Sequence, residues 1–81
     1  MGLEYKIRFE VPEGFDEEAL ARRLPDATLP GSSWTAYSYE VEVDGFTFVD
    51  HGGERTTASV AFRVLVDEAL RAGGPVVVEE L

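Results

Sequence analysis

The sequence predicts an α+β domain of order β-α-β-β-α-β, and three features carry that prediction. Residues 3–11 alternate strictly between apolar and charged. An Asp44-Gly45 pair stands between two β-prone runs, and a long Ala-containing stretch ends at Gly73-Gly74-Pro75. These signals have different physical origins, so their agreement on one element order carries weight.

The first strand is the plainest. Leu3, Tyr5, Ile7, Phe9 and Val11 are apolar, while Glu4, Lys6, Arg8 and Glu10 between them are charged. Successive strand side chains point to opposite faces, so one face is expected dry and the other wet. Pro12, which has no N–H to donate, ends the ladder. Asp16 can cap a helix, Glu17 and Glu18 complement the positive end of its dipole, and Phe15 can staple onto Leu20. Ala19, Leu20 and Leu24 form the buried stripe, Arg22 and Arg23 occupy the last turn, and Pro25 stops the helix. Asp26 to Ser33, with Pro30, Gly31 and two serines, is expected to be a loop.

Trp34 to Asp50 is expected to be a hairpin turning at Asp44-Gly45, a pair suited to a type I′ turn. That turn opposes Val43 to Phe46, Val41 to Phe48 and Tyr39 to Asp50. Val41, Val43, Phe46 and Phe48 then share the core face, with Glu40, Glu42 and Thr47 on the other. After the break at His51-Gly52-Gly53, a helix is expected from about Thr56 to Ala72. Ala58, Ala61, Phe62, Leu65, Val66, Ala69 and Ala72 gather on one side of its wheel, with Ser59, Arg63, Asp67 and Arg71 opposite. Val60, Phe62, Val64 and Val66 also alternate as a strand would; length, Ala content and the Gly-Gly stop favour the helix. Val76 to Glu80 closes the chain as a short strand.

That order is the one of the ferredoxin-like sandwich, a four-stranded antiparallel sheet with two helices on one face. Right-handed crossovers put the first and third strands in the centre. The open face then carries Glu4, Lys6, Arg8 and Glu10 beside Thr47, Val49 and His51, with Glu40 and Glu42 further out. Lys6 and Arg8 are expected to neutralise the surrounding glutamates in solvent. Burying so many charges would be costly, which disfavours a dimer formed sheet to sheet.

Eighty-one residues suffice for one domain, and 44% hydrophobic content suffices for its core. No cysteine is present, so neither a disulfide nor a thiolate site is available. With one histidine, a structural zinc would need carboxylates for its other ligands, and neither metal nor cofactor is expected. No apolar run is long enough to span a membrane, and Met1 to Phe9 is charged every second residue, unlike a secretory signal. No membrane partner and a cytoplasmic location follow as expectations. Sixteen acidic residues against seven basic ones give a net charge of −9, which repels nucleic-acid phosphates. Six Arg against one Lys, and no Asn or Gln, fit a GC-rich, bacterial genome; the missing amides alone would also fit a thermophile.

The missing groups exclude several uses of such a sheet. RNA recognition needs aromatic residues on the open face of the central strands, where this chain has charges, Thr, Val and His. A metallochaperone needs a Cys pair. An acylphosphatase-type enzyme needs an amide to position its water, and the chain has no Asn.

Two readings of function remain open. The first is a non-catalytic interaction or regulatory module that binds another protein, or a second copy as a homodimer. Its candidate contacts are Trp34, the apolar pair Val60 and Val64 on the polar side of the second helix, and an exposed edge strand. The second is an enzyme or small-ligand protein centred on Asp50-His51-Gly52-Gly53-Glu54-Arg55. There His51 beside Asp50 can act as a general base, Arg55 and the Gly-Gly amides can hold an anion, and Tyr37 and Tyr39 stand on the adjoining strand.

Overall fold

The structure is a computed structural model that describes residues 3–28, 31, 34–53 and 55–81. Its elements are β1 (Leu3–Arg8), α1 (Glu17–Arg23), β2 (Tyr37–Glu42), β3 (Gly45–Asp50), α2 (Arg55–Arg71) and β4 (Val77–Glu80). The strands form one antiparallel sheet in the order β2-β3-β1-β4, so β1 and β3 are central and β2 and β4 are edges. Of the expected loop, Leu29, Pro30, Ser32 and Ser33 lie outside the described residues, as do Met1 and Glu54.

The alternation of β1 places Ile7 in the core and leaves Glu4 and Arg8 exposed, but Lys6 on the charged face is buried and Leu3 at the strand start is exposed. Ile7, Phe46 and Phe48 pack with Leu20 of α1 and with Ala58, Ala61, Leu65 and Ala69 of α2 in a single cluster. The small residues of α2 bring its backbone close to the sheet, and Phe62 reaches Tyr5 and Phe48 with ring centroids at 5.2 and 5.3 Å. Phe9 meets Phe46 edge-on at 4.8 Å. Such pairs add to the area that aromatic rings bury. Residues 57–66 are helical, because the period that buries Ala58, Ala61 and Leu65 together is that of a helix. Asp16 caps α1, its side chain accepting from the Ala19 N–H at 3.0 Å, and Phe15 beside it packs on Phe46.

The hairpin departs from its expected register. Val43 and Asp44 form the turn, Glu42 opposes Gly45, Val41 opposes Phe46, and Tyr39 opposes Phe48. A type I′ turn needs positive φ at both central residues, and no non-glycine residue among those described has one. Gly45, at φ 140°, instead enters β3 opposite Arg8. A Cβ there would run into the Ile7 carbonyl oxygen. Shifting by an even number of residues keeps Val41, Phe46 and Phe48 on the core side. Val43, however, is at the hairpin tip and 91% exposed.

Other boundaries shift for local reasons. β1 stops at Arg8 because its partner strand begins at Gly45; the Phe9 N–H still reaches the Asp44 carbonyl at 3.1 Å, but Asp44 belongs to the hairpin turn. β2 begins at Tyr37, which leaves Trp34 ahead of the strand and 72% exposed, beside the Thr28–Thr35 bridge. Val64 is half-buried against the core, so the apolar pair expected on the polar side of α2 reduces to Val60.

Candidate functional site

His51 follows directly on β3, and its N–H donates to the Ala36 carbonyl at 3.0 Å. Its Nδ1 lies 2.9 Å from the Thr35 carbonyl oxygen, and its Nε2 lies 3.1 Å from Ser38 Oγ. A carbonyl only accepts, so Nδ1 carries a proton, and Nε2 is hydrogen-bonded to the Ser38 hydroxyl. Both ring nitrogens are therefore engaged, and the ring is held between β2 and β3. Asp50 is the preceding residue and projects to the other side of the sheet. Its carboxylate accepts the Gly52 N–H at 2.8 Å and borders a cavity of about 230 Å³ with Tyr5, Ser59 and Phe62.

The expected pairing of the Asp50 carboxylate with the His51 imidazole is therefore not assembled. One of the Gly-Gly amides expected to hold an anion is also occupied, by Asp50. Arg55 opens α2 with its side chain exposed. Tyr37 and Tyr39 lie on the core face, across the sheet from the His51 ring. Tyr37 is buried, stacks on Phe48, and donates its hydroxyl to the Pro25 carbonyl at 2.5 Å. Burial raises its pKa above the ordinary 10.0. The Tyr39 hydroxyl is raised as well, first by burial and then by Glu17. Among the described residues, no three His, Asp or Glu side chains converge as a metal site.

The open face holds a tighter charge arrangement than alternation alone implies. Lys6 Nζ lies 2.8 Å from both Glu42 Oε1 and Asp44 Oδ1. Arg8 reaches Asp44 at 3.1 Å and also pairs with Glu79 of β4. Hydrogen bonds from Lys6 hold the carboxyls of Glu42 and Asp44 below their ordinary values, and the same bonds raise Lys6. This network links the hairpin tip, β1 and β4.

Leu70 of α2 is exposed by itself, whereas four other exposed apolar residues gather at the β4 edge. All four of its residues are exposed, Val77 at 53% and Val78 at 45%, with Leu81 and Leu3 exposed at the same end of the β1–β4 ladder. The Leu81 N–H donates to the Glu4 carbonyl at 2.8 Å. Backbone groups alternate along an antiparallel strand, so residues 77, 79 and 81 face β1. The N–H and C=O of Val78 and Glu80 consequently point outward, where no described strand meets them.

No protein-family model matches the chain, and neither curated proteins nor solved structures provide a similar one. The surface itself must carry the assignment.

Of the interaction residues expected, Trp34 and Val60 are exposed but stand on different elements, and Val64 is half-buried. The β4 edge was anticipated only as an unspecified edge strand. Val76-Val77-Val78 has the composition of a core strand, and only the strand order shows it at a boundary. Pro75 before it and Glu79-Glu80 after it are the edge-strand signals that could have pointed there.

Proposed function

We propose that the chain is a non-catalytic, acidic protein-interaction module on a ferredoxin-like sandwich, and that β4 is its docking edge. The fold label is supported by the strand order, which reads β4-β1-β3-β2 from the other edge, and by the shared core of the two helices with one sheet face. The docking assignment rests on one observation: β4 combines outward backbone groups with valines exposed on both faces. An extended segment of a partner can add a strand there, bonding to Val78 and Glu80 while its side chains cover Val77 and Val78. Glu79 is neutralised by Arg8, whereas Glu80 has no ion-pair partner among the described residues. The fitting partner is thus apolar with a basic residue beside Glu80. A second copy fits less well, since each copy has a net charge of −9 and brings its own Glu79 and Glu80 to the seam.

The test is an NMR titration with a capped five-residue peptide of alternating Val and Arg, on wild type and on Val78→Pro. Proline at an outward-facing edge position leaves the bonds to β1 in place and removes the N–H that docking needs. The wild-type amides of Val78 and Glu80 should shift and gain exchange protection, and the variant should lose both effects. Equal binding by the variant would refute edge docking. Sedimentation showing a dimer that Val78→Pro dissolves would replace the basic partner with a second copy.

A further inference from the structure

On the β2 side of the molecule, away from β4, the hairpin tip and the segment before α1 enclose a shallow groove of about 350 Å³. Phe15, Val41 and Val43 form its apolar wall, and Glu13, Glu17 and Glu42 stand around it. Among the described residues, no Lys, Arg or His lines it. Val43 occupies a turn position where small polar residues are usual, and its 91% exposure shows that the core does not need it. Glu42 is engaged by Lys6 and Thr47. Glu13 and Glu17 have no ion-pair partner among the described residues.

We infer that this groove docks an arginine side chain presented by a partner polypeptide. An apolar wall beneath carboxylates matches the two halves of that side chain: the aliphatic stem lies on Val41, Val43 and Phe15, and the guanidinium reaches Glu13 and Glu17. Arginine suits the site better than lysine because guanidinium is planar and weakly hydrated, so a half-open site can strip its water at lower cost. The dipole of α1 opposes a cation at this end, but Asp16, Glu17 and Glu18 outweigh it. The groove stands independently of docking at β4.

The probe is the capped tripeptide Ala-Arg-Ala, too short to form a strand, compared with its norleucine analogue by NMR. Both are titrated into wild type and into Val78→Pro, so failure of edge docking leaves this test intact. The arginine peptide should shift the amides of Val43, Phe15 and Glu17, and the norleucine peptide should not. Glu13→Gln and Glu17→Gln should each weaken binding by about two- to fivefold, as for exposed ion pairs. Val43→Ser should weaken it without altering Tm. Equal binding of both peptides, shifts confined to β4, or indifference to both Glu→Gln changes would overturn the assignment.

Discussion

Lys6 Nζ and Asp44 Oδ1 meet at 2.8 Å across 38 residues of chain, on the face of the sheet that no helix residue of the core cluster covers. The Lys6 side chain is only 8% exposed, because Glu42 and Asp44 close over it. The charge on β1 is thus a tie between that strand and the hairpin tip, where the sequence suggests ion pairing in solvent and not burial.

Replacing the cation tests the tie. In Lys6→Met, Glu42 and Asp44 face each other with Arg8 as the remaining cation. Tm should fall by a few degrees, and the amides of Phe9 and Gly45 should exchange faster. Lys6→Arg should keep most of the stability, since a charge with several donors remains. An unchanged Tm in Lys6→Met would mean that the pair contributes nothing measurable, as many surface ion pairs do.

The pH dependence has a defined sign. Glu42 and Asp44 titrate below their ordinary values of 4.5 and 3.8 in the folded protein, so their contribution is present above those values and lost as pH falls through the lowered ones. Lys6 is raised above 10.5, so its contribution is present below that value and lost as pH rises beyond it. The stability gap between wild type and Lys6→Met should therefore be widest between about pH 5 and 10 and close at both ends. Denaturant titrations across pH measure it. Using the difference cancels the general relief of self-repulsion when an acidic protein is protonated.

Gly45 should be the least replaceable glycine. At φ 140° an alanine is strained, and its Cβ would strike the Ile7 carbonyl, with Ile7 C at 3.0 Å and Arg8 Cα at 3.1 Å behind it. Gly45→Ala should cost about 3 kcal/mol or more, enough to lower Tm by over 10 °C in a domain of this size. Gly14 also has positive φ but open space around its Cβ position. Gly14→Ala should cost only about 1 kcal/mol. Comparable losses at both sites would place the Gly45 effect in backbone conformation alone, without the clash.

Which features were legible in the chain depends on how local their cause is. The Asp16 cap and the helical face of Ala58, Ala61 and Leu65 are set within a few residues, and each is formed as expected; the β1 alternation puts Ile7 in the core, but Lys6 is buried on the other face and Leu3 is exposed at the strand end. The hairpin register was not local: Asp44-Gly45 resembles a type I′ pair, but Lys6 and Arg8 claim Asp44 and the β1 backbone presses on Gly45. Val43 lost its core position for that reason. Asp50 and His51 are neighbours in sequence, so they suggested a catalytic pair; the extended backbone at the end of β3 is what sends their side chains apart. Val77 and Val78 are apolar like core residues, and only the order of strands reveals that nothing lies beyond them.

His51 offers the clearest separation between a strut and a reactive group. The ring joins Thr35 and Ser38 across the start of β2, with Nδ1 donating to the Thr35 carbonyl and Nε2 bonded to the Ser38 hydroxyl. Removing it in His51→Ala frees both partners to water, and a pair of such half-exposed bonds contributes on the order of 1 kcal/mol. Tm should fall by roughly 4–8 °C, with faster exchange at Ala36 and Tyr37 and little change at the hairpin tip. His51→Gln keeps one donor and one acceptor and should recover part of the loss. If His51→Ala left Tm and exchange untouched, the ring would not be a strut, and the reactive role set aside here would regain its claim.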